Sequence, residues 1–544
     1  MIGLANVKFG KDEHFVVDQG RVGINLRLGI DVGGTNTDAV VLDEHAKLLG
    51  SFKSPTTPDV TTGIRNALRG LVQTHPELDL GAIRFAMLGT THCTNAILER
   101  RNLNRVGLIR IGAPTTLAIL PFTEWPEDLR EAVGGHYAVV GGGHEFDGRE
   151  FQPLDVEAIR QAAESFRGEV DSLAVVAIFS AVDSSHERRA AEVLHEEMGD
   201  LPISFSYEIG SIGLLERENA TVLNAAIVNA ARAAAAGFEQ ALHEHGIQAQ
   251  LFFSQNDGTL MALEYAIRYP ILTVASGPSN SIRGAAFLSG LRDAIVVDVG
   301  GTSTDVGVLI NGFPRESSIA VEIGGVRTNF RMPDLLSIAL GGGTRVHQDG
   351  DLRIGPDSVG YRITREALVF GGQTLTTSDI AVASGRTVMG DPEAVAHLDA
   401  ALVAAVADQI RARCEDTIDR MKTSAEPMPV VLVGGGSVVI PAELAGVSTI
   451  YRPDHYDVAN AIGAAIAQCS GEIERVFSLD EYTREQAIEL ARQMACNEAV
   501  QAGADPSTVE IVDLQEVPLA YLPTRATRIR VRAAGDLTVA VASS

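Results

Sequence analysis

The chain has 544 residues, 45% of them hydrophobic and 21% charged, enough for two or three domains and too many for one ordinary core. Its 44 basic residues face 70 acidic ones, a formal charge of −26 with no long basic cluster, which argues against nucleic acid or an anionic membrane as a partner. Four scattered cysteines, Cys93, Cys414, Cys469 and Cys496, lack CxxC spacing and indicate neither a disulfide framework nor a cysteine zinc site. With no uncharged stretch of membrane-spanning length and no signal-peptide core at the start, the expected location is a reducing cytoplasm.

Residues 1–27 read as an extra strand or arm. The phrase Leu28-Gly-Ile-Asp-Val-Gly-Gly-Thr-Asn-Thr-Asp38 follows, an apolar run ending in an aspartate, then a glycine pair, polar residues, a second aspartate and the β-branched return Ala39-Val-Val-Leu42. That pattern predicts strand, tight turn and returning strand. Gly33 and Gly34, with no Cβ, let backbone N–H groups approach an anion; Thr35, Asn36 and Thr37 add polar side chains, and Asp31 can hold a hydrated divalent cation. Helical spacing covers Val60 to Leu71. Ile83 to Gly89 reads as a buried strand running into Thr90-Thr-His-Cys-Thr-Asn-Ala96, where a helix begins with Thr94 or Asn95 as its cap.

A glycine-rich patch from Gly134 to Gly148 reads as an exposed loop with short strands. His136 and His144 within it could form a metal pair, although no third convergent ligand accompanies them. Leu154 to Met198 alternates helix, strand and helix, and Glu208 to Glu218 leads into a long alanine-rich helix ending near His245. Strand-like Leu251-Phe-Phe253, the loop Ser254-Gln-Asn-Asp-Gly258 and the turn Ser276-Gly-Pro278 then approach a second copy of the first phrase, Val297-Asp-Val-Gly-Gly-Thr-Ser-Thr-Asp305. Here Asp298, Gly300, Gly301, Thr302, Ser303 and Thr304 repeat the earlier grammar. Ala394 to Met421 is a long helix, and Val430-Val-Leu-Val-Gly-Gly-Gly-Ser437 is a buried strand opening onto glycines. Tyr456 to Ile473 reads as a helix packing through small residues. A capping box at Thr483-Arg-Glu-Gln486 starts a last helix to Gly503, with strands at Val509 to Val512 and Arg528 to Arg532: a small α+β appendage.

A phrase used twice suggests two related lobes facing each other across a cleft. The arrangement resembles the actin-like ATPase superfamily, which uses one phosphate hairpin per lobe. That resemblance implies an α/β fold of two related, ribonuclease H-like lobes around a nucleotide cleft, with Gly434, Gly435, Gly436 and Ser437 as the adenosine loop. The expected divisions are a first lobe over 28–225 with an inserted α/β segment, a second lobe over 226–475 and the appendage over 476–544.

Four further phrases narrow the choice: Thr90-Thr-His-Cys-Thr-Asn-Ala-Ile-Leu-Glu-Arg100, Glu216-Arg-Glu-Asn-Ala-Thr-Val-Leu-Asn-Ala225, Ser254-Gln-Asn-Asp-Gly258 and Thr273-Val-Ala-Ser-Gly-Pro278. In this order around the two hairpins they resemble the hydantoinase A / 5-oxoprolinase family over most of residues 28–470. The resemblance implies ATP and Mg²⁺, and ring opening of a cyclic amide such as a hydantoin, a lactam or 5-oxoproline by phosphorylation of its carbonyl oxygen. Asp31 and Asp298 would then face Mg²⁺ as catalytic residues, the two glycine–hydroxyl turns would cradle phosphates, and Asp38 and Asp305 would orient the hairpins or support the metal's ligands from behind. Thr90, Thr91, Thr94 and Asn95 are candidate hooks for the substrate amide, and Arg217 and Asn219 candidates for reaching the cleft. For His92 and Cys93 a nucleophilic role stands against ordinary buried packing.

The chain departs from larger family members after Gly341-Gly-Gly343, where Ile354-Gly-Pro-Asp-Ser-Val-Gly360 runs into Tyr361-Arg-Ile-Thr364. A B-type component, if needed, must be a separate polypeptide, and self-association is the other partner expectation. Alternatives on the same fold are a small-molecule kinase, an ATP-dependent carboxylase subunit and an ATP-switched partner-binding protein.

Overall fold

The computed structural model describes residues 25–57, 59–210, 212–317, 321–329, 332–348, 350–519 and 526–537; nearly all of the expected N-terminal arm lies outside them. The first hairpin pairs Leu26–Val32 with Asn36–Leu42 antiparallel, and Leu48–Pro55 extends it. On its other side Leu26–Val32 pairs in parallel with Ile83–Thr90, which pairs in parallel with Gln250–Ser254. The second hairpin repeats this order. Ala294–Val299 pairs antiparallel with Thr304–Ile310 and parallel with Met428–Val433, which pairs in parallel with Val447–Tyr451. Even the register is kept: Asp31 lies opposite Asp38, and Asp298 opposite Asp305.

Both sheets are covered on both faces, which is why their central strands are continuously apolar. Along Asn36–Leu42 the two-residue alternation divides the core. Ala39 and Val41 meet Ile64 and Leu68 of the helix Val60–Thr74, while Val40 and Leu42 meet Ala461, Ile462 and Ala465 of the helix Ala459–Ile466. In the second sheet Val297, Val299 and Val306 face the helix Ala400–Met421, and Val296, Leu309 and Val431 face the helix Ser276–Ser289.

The helices Ser276–Ser289 and Ala459–Ile466 exchange places. The first follows strands of the first sheet and packs on the second; the second follows the strand Val447–Tyr451 and packs on the first. They cross at backbone contact, since a Cβ on Gly284 would lie 2.0 Å from the Ala459 carbonyl oxygen and one on Gly463 1.9 Å from that of Asn280. Only glycine permits that approach.

The inserted segment forms its own parallel sheet, ordered His136–Gly141, Val106–Ala113, Ser172–Ala177 and Ile203–Phe205, and leans on the helix Leu214–Glu244. That helix runs straight through the division expected at 225/226, because nothing in its alanine-rich sequence breaks it. The expected helix Tyr456 to Ile473 is shorter: it ends at Ile466, and Cys469–Ser478 is a strand whose inward side chains, Ile473 and Phe477, alternate with Glu472 and Glu474. The C-terminal α+β segment has its capping box at Thr483 and Gln486 and its helix Arg484–Gln501. It is not set apart, because Ala526–Gly535 pairs with Cys469–Ser478 and Glu510–Pro518 pairs with Ala526–Gly535, extending the first sheet to nine strands. The first lobe is thus assembled from the start, middle and end of the chain.

Candidate active site

The two hairpin turns close in the same way, with the Gly33 N–H donating to the Asn36 carbonyl (3.0 Å) and the Gly300 N–H to that of Ser303 (2.9 Å). They also meet. A Cβ on Gly301 would fall 2.8 Å from the Thr35 hydroxyl oxygen, so the tips of the two loops face each other across the cleft. Gly34 and Thr302 are exposed at those tips, whereas Thr37 and Thr304 are fully buried. Thr304 donates its hydroxyl to the Leu340 carbonyl and Thr37 lies beside Thr56, so these two hydroxyls brace the hairpins from inside. The Thr56 hydroxyl also holds the Gly33 carbonyl at 2.7 Å.

Below the turns lie Asp31 and Asp298, bridged through the crossing helices. The Ser281 hydroxyl lies within hydrogen-bond reach of both the Asp298 carboxylate and the Asn460 amide oxygen (2.5 Å), and the Asn460 amide N–H donates to Asp31 Oδ2 at 3.5 Å. Asp31 Oδ1 is buried without a hydrogen-bond partner. Burial, reinforced by the charges of Asp38 and Asp298, pushes the Asp31 carboxyl up to about 7. Burial also pushes Asp298 up to about 6, against the pull of the Ser281 hydroxyl. Asp38 is tied down by Lys53 (2.6 Å), which also donates to the Asp457 carbonyl (2.8 Å), and Asp305 accepts from Ser337.

The triple glycine divides its work. Gly434 has φ +82°, and a Cβ there would be 2.2 Å from Asp298 Oδ1; a Cβ on Gly436 would be 2.4 Å from the Gly300 carbonyl oxygen. Both are close-packing positions. Gly435 alone is exposed with open space where a side chain would be, and the Ser437 hydroxyl is buried without a partner. A second glycine loop, Gly341–Gly343, backs the second turn: the Gly342 and Gly343 N–H groups donate to the Gly300 (3.0 Å) and Gly301 (2.7 Å) carbonyls.

By the internal symmetry, Gly89 lies beside Asp31 as Val433 lies beside Asp298, so Thr90 and Thr91 take the place in the first lobe that Gly434 and Gly435 have in the second. Thr90 is buried and its hydroxyl accepts from the His92 N–H (3.1 Å). The helix starts at His92 with Thr91 at its cap position, earlier than Thr94 or Asn95, because Thr91 anchors both the Val32 carbonyl (3.4 Å) and the Asn95 amide (3.4 Å). Thr94 is half-buried and Asn95 exposed. Cys93 is buried among alanines and its thiol is pushed up to about 11 by burial, the environment of a packing residue and not of a nucleophile.

Arg217 and Asn219 do not reach the cleft. Arg217 is fully buried against Ser206 (3.0 Å) and the Ile212 carbonyl (2.9 Å), and Asn219 joins Trp125 (2.8 Å) to the Arg327 carbonyl (2.8 Å). His144 packs against His186 with the rings tilted, 4.4 Å between ring centres, while His136 packs on Phe166. Among the described residues no group of three or more His, Cys, Asp or Glu could hold a metal by itself. What sequence reasoning missed are Ser281, Asn460 and Lys53, which carry no motif; Asn280 and Ser281 lie two and three residues beyond Pro278 of Ser276-Gly-Pro278.

Comparison with known proteins adds to this geometry. The profile of the hydantoinase/oxoprolinase N-terminal region matches residues 27–198 and that of hydantoinase/oxoprolinase matches residues 217–420. The chain is 27% identical to the caprolactamase subunit alpha of Pseudomonas jessenii, over 81% of this chain and 65% of the relative. It is 27% identical to the acetophenone carboxylase gamma subunit of Aromatoleum aromaticum (66% and 53%), and 28% identical to 5-oxoprolinase 1 of Arabidopsis thaliana (62% and 29%). The matches therefore span less than two thirds of these relatives' own length. In fold it resembles the ATP-dependent caprolactamase of Pseudomonas jessenii, with TM-score 0.75 and 21% identity over 94% of this chain and 88% of that one. It also resembles a nucleotide-free acetone carboxylase, with TM-score 0.68 and 17% identity over 95% and 88%. No described helix is long and apolar enough to cross a membrane. With both family profiles matched in order around the two hairpins, the chain belongs to the hydantoinase/oxoprolinase family.

Proposed function

We propose that the chain binds Mg-ATP between its two hairpins and uses it to open a cyclic amide, working with a separate partner subunit. The observation that carries this reading is the convergence of two turns of identical register, Thr35 against Gly301, above two carboxylates joined through Asn460 and Ser281. Backbone N–H groups of the turns would hold the phosphates, and the exposed Gly435 would offer the adenosine a flat backbone surface. Asp31 and Asp298 fit a divalent cation: one buried carboxylate oxygen has no partner, and two acids with phosphate oxygens and water are the usual Mg²⁺ set. Bound there, Mg²⁺ would supply charge neutralisation for the transferring phosphoryl group.

A ring amide is a poor electrophile. Moving the γ-phosphoryl group onto its oxygen makes the carbon attackable by water; the C–N bond then breaks, the nitrogen takes a proton, and a second water releases phosphate. For the transfer the chain contributes position, since it aligns the two reactants between rigid strands and excludes bulk water with buried walls. The caprolactamase and 5-oxoprolinase relatives support the amide reading, and relatives named as subunits support a partner. The acetophenone carboxylase relative favours one second reading, in which a ketone is activated at its oxygen and carboxylated at the adjacent carbon, which gives up a proton.

The test is phosphate release from Mg-ATP against a panel of hydantoins, lactams and ketones, with and without bicarbonate, using Asp298→Asn as control. Release stimulated by a lactam or hydantoin, independent of bicarbonate and reduced at least about a hundredfold in the variant, is expected. Stimulation by a ketone that requires bicarbonate would establish the carboxylase reading instead.

A further inference from the structure

Away from the hairpins, a cavity of about 370 Å³ opens where the inserted segment, the loop Gln255–Asp257 and the C-terminal strand and helix meet. That is the size of a small-molecule site. Its ionic groups are unequally committed. Arg268 is held by Glu208 and lies 5.2 Å over the Tyr269 ring, whose hydroxyl also donates to Glu208 (2.9 Å). Glu316 and Glu472 are engaged by Arg530, and Glu474 by Arg528 (3.3 Å).

Arg475 and Arg188 are different. Among the described residues neither is ion-paired to an acid; Arg188 lies 5.4 Å over the Tyr207 ring, and Arg475 is half-buried beside it. Burial and the neighbouring charge of Arg188 both disfavour the Arg475 cation. Among the described residues Glu498 is the acid whose charge favours the Arg475 cation, yet no ion pair joins the two. Glu498 also lines the cavity; it accepts from the Tyr265 hydroxyl at 3.4 Å, and burial raises its carboxyl against the pull of the Arg268 and Arg475 charges. Tyr265 and Tyr269 present an aromatic wall, 4.6 Å between ring centres.

We propose that this cavity is a second ligand site, in which Arg188 and Arg475 take the carboxylate of a small molecule and Glu498 takes its N–H or ammonium group. Paired guanidinium groups are the natural receptor for a carboxylate, an acid lining the same cavity suits a nitrogen donor, and the tyrosines cover the carbon chain. The matching chemistry is an amino or amido carboxylate, either a lactam bearing a carboxylate or the amino acid that ring opening leaves. The choice of these probes rests on the ring-opening reading. The loop Gln255–Asp257 links this site to the hairpins, because the Asn256 carbonyl accepts from Ser279 and Ser254 pairs with Asn280 (3.1 Å), both on the crossing helix that carries Ser281.

Calorimetric titration of the purified full chain without nucleotide tests this, with glutamate, 5-oxoproline and the uncharged 2-pyrrolidinone as ligands, and with the variants Arg475→Gln and Arg188→Gln checked for folding by thermal melting. The carboxylates should bind at least tenfold more tightly than 2-pyrrolidinone, and each folded variant should lose that advantage. Preference between glutamate and 5-oxoproline identifies the open or the cyclic ligand. Equal affinity for 2-pyrrolidinone, no carboxylate binding at millimolar concentration, or unchanged carboxylate affinity in a folded variant would overturn the proposal. Because nucleotide is left out, failure here and failure of ATP-driven turnover are separate results.

Discussion

Asp31 concentrates the electrostatic strain of the cleft in one carboxylate, buried between Asp38 and Asp298 with one oxygen unpartnered. Its ordinary value is 3.8 and its folded value about 7, so between those limits the folded chain keeps a proton that the unfolded chain has released. Stability then falls as pH rises through that window, and the penalty is complete above it. In metal-free protein the melting temperature should drop from pH 5 to pH 8, and Asp31→Asn should flatten that drop while removing activity; an equal slope in both proteins would show that the burial cost lies elsewhere. Asp31 and Asp298 were legible because the glycine–hydroxyl grammar is local. Asn460 was not, since it reaches Asp31 across 429 residues, and Lys53 was not, since its place beside Asp38 appears only in the pairing of two adjacent strands. No spacing rule supplies either contact.

Among the elements, the phrase Glu216-Arg-Glu-Asn219 proves to be a clasp. Arg217 and Glu218 are buried at the start of the long helix, where Glu218 takes Arg110 of the inserted sheet (2.6 Å) and Arg217 lies beside Glu187 of the helix Ser185–Met198. Glu218→Ala leaves Arg110 buried without its partner and should cost about 3–5 kcal/mol. Urea denaturation measures it, with a loss under about 1 kcal/mol indicating that the site relaxes or admits water. Strands and long helices were readable from their apolar periods. The small residues from Ala459 onward announced close packing, yet the change to strand at Cys469 was hidden because Ile473, Arg475 and Phe477 show their alternation only against the partner strand Ala526–Gly535.

Over the whole molecule, the cleft mouth is the point where Thr35 and Gly301 meet; a Cβ on Gly301 would lie 3.2 Å from that of Thr35, close to disulfide reach. The double variant Thr35→Cys, Gly301→Cys should oxidise readily, losing nucleotide binding, and regain it on reduction; binding that survives the crosslink would place the nucleotide entrance elsewhere. The repeat of the hairpin phrase made two lobes legible. How the chain's ends close the first lobe was not, because edge pairing at Ala526–Gly535 has no local signature.

The exchanged helices carry a thermodynamic consequence. Each sheet is covered by a helix that follows the other, and the two touch backbone to backbone at Gly284 and Gly463. No single cut between Leu26 and Gly535 leaves the first sheet with its complete core, because its strands and covering helix lie on both sides of the second sheet's segment in the chain, so the two sheets should melt as one cooperative unit despite the chain's length. Scanning calorimetry should find a single transition for them with equal calorimetric and van't Hoff enthalpies. Two resolved sheet transitions would mean that the helices part before either core is lost. If they melt together, any ligand that stabilises one sheet protects the other to the same degree.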